Sequence, residues 1–232
     1  MTTRDMQHLD LANPIASTFL MAWHWTDSAI PLMQSAYRLL TKLAEAEHRF
    51  TDKYYAIVAN PNLSATGKKA SREDAFNATL APVYRDLQTE GQSMKNMIAT
   101  LKVNSLPRPD PADFGAALAR SDIRRIFLGM DAMAKITAIK AYPSAALAAA
   151  LLEFPPELIG LTQQDVQTLT DAFGASAYPE NAKKIEELTN GLEAVKILMS
   201  MAIAVAAANL DLDKMQVEQL IWGGKLPDSK RL

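Results

Sequence analysis

The stretch LMQSAYRLLTKLAEAEHRFTDKYYAI, Leu32–Ile57, decides the fold, because its apolar residues recur at helical spacing. Leu32, Ala36, Leu39, Leu43, Ala46, Phe50, Tyr54 and Ile57 follow one another at intervals of three or four, which places them on one face of a helix. Pro31 precedes them, in a first turn where its missing N–H costs nothing. Thr26 or Asp27 can cap the start, so the spacing predicts a helix from about Asp27 to Ala59. Its outer face sets Glu45 four residues before Arg49, a pairing that suits an exposed surface.

Working outward, Asn60-Pro61-Asn62 stops this helix and Ser64 can cap another. Phe76, Leu80, Val83, Leu87, Gly91, Met94, Ile98 and Leu101 again step by three or four, predicting a second rod from about Ser64 to Val103. Pro82 should kink it, with a short break near Ala81 as the alternative, and Gly91 costs about 1 kcal/mol against Ala. A connection this short makes the rods an antiparallel αα-hairpin. At ~1.5 Å per residue they extend roughly 50–60 Å, more than the diameter of about 45 Å expected for a compact chain of this length. The hairpin is therefore expected to protrude, with an apolar stripe that needs more cover than one partner helix supplies.

On the other side lies Ser105-Leu106-Pro107-Arg108-Pro109-Asp110-Pro111, an extended linker. Shorter helices should follow. Ser121 is placed to cap Asp122–Gly129, Asp131 to cap Ala132–Ala141, and Ser144 to cap Ala145–Glu153, which Pro155-Pro156 ends. Thr162-Gln163-Gln164-Asp165 fits a capping box opening a helix to about Phe173. Pro179 suits the first turn of a long final helix to about Ala208, and Asp211 should cap a last short one ended by Gly223-Gly224. The small residues of Ala145–Ala150 and Ala202–Ala208 suggest that these segments cross in the core. No strand pattern is present. The expected architecture is all-α: a long antiparallel hairpin, a compact bundle of shorter helices and a long C-terminal helix. The expected divisions are an N-terminal extension over 1–26, the hairpin over 27–103, the Pro-rich linker over 104–112 and a helical bundle over 113–232.

Composition narrows the function. The chain has 232 residues, 49% hydrophobic and 22% charged, with net charge −2, so no global field favours nucleic acid or an anionic membrane. The absence of cysteine excludes disulfides, thiolate metal sites and cysteine nucleophiles. Met1–Asp10 lacks the order of a secretory signal. The longest uncharged apolar run, Ile197–Leu210, is 14 residues, short of the roughly 20 that span a bilayer. The expected location is a virion or a host cytoplasm, neither secreted nor transmembrane.

A search for chemistry finds little. His8 lies in a polar tail and His24 between Trp23 and Trp25. His48 shares a face with Glu45 and Asp52. Glu45-Ala46-Glu47-His48 contains the Glu-x-x-His of di-iron bundles but not its twin on another helix, so a solvated face is the better reading. Glu73-Asp74 and Glu186-Glu187 are adjacent pairs, whose side chains diverge by about 100° on a helix. No nucleophile elbow or phosphate-binding glycine motif is present. Lys68, Lys69 and Arg72, and separately Arg124 and Arg125, have acidic neighbours in Glu73 and Asp122, which favours salt bridging over nucleic-acid contact. Met94, Met97, Met130, Met133, Met199, Met201 and Met215 read as core filling rather than a groove. No catalytic residue, cofactor or metal is expected.

The order of several segments carries a resemblance. Asn60-Pro61-x-Leu63-Ser64-x-x-Gly67-Lys68 precedes a rod bearing Arg72, and Ser121-Asp122-Ile123-Arg124 follows the linker. Next come Glu153-Phe154-Pro155-Pro156-Glu157-Leu158-Ile159-Gly160-Leu161-Thr162 and Pro179-Glu180-Asn181-Ala182. Over roughly Ser64–Met199 this resembles a group of poorly characterised helical proteins that tailed bacteriophages and prophages encode among virion genes. The resemblance is one of order and texture, and no catalytic residue transfers with it. Met130-Asp131-Ala132-Met133 stands where that group would carry a Pro-Glu-Arg-like opening.

The function expected from these readings is a structural or interaction subunit of a multi-subunit assembly, a virion component by the resemblance, acting through helix packing. Its expected interface comprises Leu32, Leu39, Leu43, Phe50, Ile57, Phe76, Val83 and Leu87 from the two stripes, with Trp23, Trp25 and Trp222 as aromatic anchors. The expected partners are further copies of the chain and other virion proteins, with nucleic acid not a main ligand. The runner-up is an internal protein released to contact DNA or a membrane during infection, its Ala-rich terminal helix and Trp residues inserting into bilayers. An uncharacterised helical enzyme is third.

Overall fold

The structure is a computed structural model that describes residues 15–24, 26–110 and 112–223. His8, Trp25, Pro111 and Gly224 lie outside the described residues. The described residues are all-α, without a strand. The helices are α1 (Ile15–Ala22), α2 (Pro31–Ala59), α3 (Ala65–Asn104), α4 (Phe114–Leu128), α5 (Ala132–Ala141), α6 (Ala145–Leu152), α7 (Gln163–Ala177), α8 (Pro179–Leu210) and α9 (Lys214–Ile221), with a 3₁₀ turn at Pro156–Ile159.

The hairpin is present as α2 and α3. Pro31 occupies the first turn, but the cap position is Ile30 and makes no side-chain cap bond, so neither Thr26 nor Asp27 performs that role. Instead the Ser28 hydroxyl accepts the Ile30 N–H at 3.1 Å, and its carbonyl accepts from Gln34 Nε2 at 2.8 Å. Ser64 accepts the Gly67 N–H at 3.1 Å, capping α3 as expected. The antiparallel register is visible in pairs equidistant from Leu63. Phe50 meets Phe76 edge-on at 6.1 Å between ring centroids, the Arg72 guanidinium lies 5.8 Å from the Tyr54 ring, and Lys68 Nζ donates to the Val58 carbonyl at 2.6 Å. α3 runs unbroken through Pro82. Proline removes the donor to the carbonyl four residues back, and that residue, Ala78, is exposed to solvent.

The chain gathers into two compact units that do not follow chain order. Among the described residues, the first comprises those up to Lys95 and those from Leu188 onward, the second those from Asn96 to Glu187. The sequence division placed all of 113–232 together, whereas residues from Leu188 onward belong with the hairpin. In the first unit α1 packs on α2, and the core contains Met33, Leu40, Leu43, Phe76, Leu87, Met94, Val195 and Leu198. Gly191 permits the closest approach there: a Cβ at that position would lie 2.6 Å from Met33 Sδ and 3.8 Å from the Trp23 ring. Residues 51–74, at the turn end of the hairpin, include no buried side chain. α8 ends at Asp211, whose φ of 57° is left-handed, and the Leu212 N–H returns to the Ala207 carbonyl. This is how helices commonly terminate. Asp213, not Asp211, caps α9, in a reciprocal box with Gln216.

In the second unit α4 packs on α6, and α7 on both α5 and α6. Phe127, Ile139, Leu151, Ile159, Leu169 and Phe173 form its core. Asp131, Ser144 and Thr162 cap α5, α6 and α7 as the sequence indicates, Thr162 sharing a capping box with Asp165. α4 differs: Asp113 caps it by accepting the Ala116 N–H at 2.9 Å, and Ser121 lies in mid-helix. The two Ala-rich segments fall in different units, Ala145–Ala150 in the second and Ala202–Ala208 in the first.

Candidate interaction surface

α4 carries apolar residues on two faces. One face contains Phe127 and Arg120, both buried. Phe114, Leu118, Ser121, Arg125 and Leu128 follow at spacings of four, three, four and three, which confines them to an arc of about 80°. That arc faces outward: Phe114 is 84% exposed, Leu118 68% and Leu128 51%. Ile126 is exposed beside them, as are Met133, Tyr142 and Leu158 elsewhere in the same unit. Three large apolar side chains left in solvent on one arc make it the candidate interaction surface. Arg125 pairs with Asp122 at 3.3 Å within the helix, which leaves the stripe without net charge.

Charged residues on the inner side hold α4 in place. Glu153, just after α6, forms ion pairs with Arg120, whose Nε lies 2.6 Å from Oε1, and with Arg124, whose Nη1 donates to Oε2 at 2.7 Å. Arg124 also donates to the Ala150 carbonyl at 3.2 Å and stacks 4.5 Å from the centroid of the Phe154 ring. The Arg124–Arg125 pair is thus divided between two ion pairs, and in the first unit Arg72 donates to the Asn209 carbonyl and faces Asp211.

The interface expected from sequence is mostly interior. Leu39, Leu43, Phe50, Phe76, Leu87 and Trp23 are buried within the first unit, and Leu32, Ile57, Val83 and Trp222 are half-buried. Trp25 is outside the described residues. What the stripes leave uncovered is at the turn end, where Tyr55 and Val58 are exposed. Of the methionines, Met94 and Met199 fill the core, whereas Met97, Met133, Met201 and Met215 are exposed.

His48, Glu45 and Asp52 are exposed on the outer face of α2, and no cluster of three metal-ligating side chains occurs among the described residues. Glu47, the neighbour of His48, turns inward and accepts the Ala16 N–H at 3.0 Å, tying the start of α1 to α2. Burial raises its carboxyl from 4.5 to about 7 despite that hydrogen bond. Burial also pushes up the hydroxyl of fully enclosed Tyr84, to which the Glu47 charge adds. α8 is long and apolar enough to cross a membrane by length and composition, with mean hydropathy 1.7 over its most apolar window, of which 44% is buried.

No protein-family model matches the chain, and neither a curated protein nor a solved structure matches it.

Proposed function

We propose that the protein is a structural subunit that self-associates through the outward stripe of α4, in an assembly of the virion kind that the sequence resemblance suggests. The exposed arc of Phe114, Leu118 and Leu128 is the observation that carries this reading. The three lie on one side of the helix, with Ser121 and Arg125 between Leu118 and Leu128 on the same arc, a face that a second helix can cover. No group of polar residues resembling a catalytic constellation competes with it among the described residues, and the perturbed carboxyl of Glu47 is spent on holding α1.

The test is native mass by multi-angle light scattering over a wide concentration range, on the wild type and on Phe114→Ser/Leu118→Ser. Both side chains are exposed, so the double variant should keep its helix content by circular dichroism. We expect a defined multimer in the wild type and a smaller species in the variant. A wild type that is monomeric throughout, or a multimer indifferent to the substitutions, refutes the proposal.

A further inference from the structure

Behind the stripe, the second unit contains a cavity of about 360 Å³, lined by Arg108 and Arg120, by Ala145 and Ala146 of α6, and by Phe173 and Tyr178. The walls are largely apolar, and the charged side chains that line it, Arg108 and Arg120, are both cationic. Arg120 is 8% exposed. Its Nε is 2.6 Å from Glu153 Oε1, yet the N–H is not aimed at that oxygen and makes no hydrogen bond. Among the described residues no acceptor takes either Nη group. Glu153 is shared with Arg124, so one carboxylate faces two guanidinium groups and a positive charge is left over. A buried guanidinium N–H left without an acceptor, as Nε is here, is costly.

The same cavity meets the start of α6. Ser144 caps by accepting the Leu147 N–H at 3.2 Å, and the first backbone bond closing the helix comes from Ala148. The N–H groups of Ala145 and Ala146 have no acceptor among the described residues, and a helix start favours negative charge. Arg108, bound to Asn104 Oδ1 at 3.1 Å, adds a second guanidinium on the exposed side. An unpartnered Nε, two free backbone N–H groups among the described residues, a shared carboxylate and aromatic walls define one ligand chemistry.

We infer that this cavity binds a small organic anion, a phosphate monoester or carboxylate on an apolar or aromatic body, with the oxyanion on Arg120 and the body against Phe173 and Tyr178. An Arg fork suits either head group, and the volume lies at the small end of ligand sites. This inference is independent of the self-association proposed above.

Titrating the intact protein with phenyl phosphate and with benzoate by calorimetry tests it. We expect saturable binding, roughly millimolar or tighter, by at least one of the two. Arg120→Gln should weaken binding at least tenfold, on the order of one charge-assisted contact. Ala146→Glu, at an exposed position, should do the same by placing a carboxylate at the mouth without touching the core, so the test survives if the Arg120 variant misfolds. Absence of saturation with both ligands overturns the inference, as does unchanged affinity in Ala146→Glu. Inorganic phosphate binding as tightly as phenyl phosphate would show that the apolar walls recognise nothing. Benzyl alcohol binding as tightly as benzoate would show the same of Arg120. Either result also overturns it.

Discussion

Glu47→Gln should stabilise the first unit at alkaline pH and flatten its dependence on pH. In the folded protein the carboxyl titrates at about 7 instead of 4.5, because burial disfavours the charge by more than the Ala16 N–H repays. Between these values the folded state binds a proton that the unfolded chain releases, so stability falls as pH rises. The contribution is fully present below 4.5 and is lost as pH passes through 7. At about 1.4 kcal/mol per pH unit the ceiling is roughly 3 kcal/mol. Water reaching a carboxylate that is only half-buried reduces this to about 1–2 kcal/mol. Glutamine keeps an oxygen to accept from Ala16 and carries no charge. Urea denaturation at several pH values between 5 and 8.5, with each buffer at about the same ionic strength, measures the difference. Tryptophan fluorescence confines it to the right unit, because the sequence has no Trp between residues 96 and 187. The variant should match the wild type at the acid end and exceed it at the alkaline end. Parallel curves across the whole range would refute the reasoning.

Gly191→Ala should destabilise the same unit by about 1–3 kcal/mol, since the added methyl meets Met33 Sδ at 2.6 Å. With Met33→Ala the two costs should fall short of their sum in a double-mutant cycle, and strict additivity would exclude the contact as the cause. Thr162→Ala removes one half of the α7 capping box and should cost about 1 kcal/mol, read as a lower urea midpoint by far-UV circular dichroism. Leu87→Asp buries a charge at a fully enclosed site and should cost more than about 4 kcal/mol. Loss of tryptophan emission shift would register that unfolding, and a folded but dissociated protein would restore Leu87 to an intermolecular seam.

The hairpin was legible because two faces of apolar residues persist over many turns, and a signal that long survives a Pro82 or a Gly91. Caps with a side-chain acceptor just ahead of an apolar run, at Asp131, Ser144 and Thr162, were equally plain. Ser121 misled because a hydroxyl residue in mid-helix looks the same in sequence as one at a start, while the true cap, Asp113, stands close to the Pro-rich linker. α1, eight residues without a charge, has too few turns to show a period. The exposed stripe proposed as an interaction surface was hidden for a different reason. α4 is apolar on two sides, and only the packing of α6 decides which of them is buried. Glu47 was hidden in turn by its neighbours, Glu45 and His48, which are solvated. Its inward turn depends on α1, thirty-one residues away.

The order of the units along the chain has a consequence for synthesis. Residues 96–187 form a contiguous unit, whereas the first unit is completed only by residues from Leu188 onward. A nascent chain therefore holds every residue of the second unit while the hairpin still lacks Val195 and Leu198, which are fully buried in its core. At roughly 5–20 residues per second, about 5–20 seconds separate the translation of Lys95 from that of Leu198. Throughout that interval the apolar faces of α2 and α3 have one another but not α8, and the nascent hairpin is the part of the molecule with most need of a chaperone.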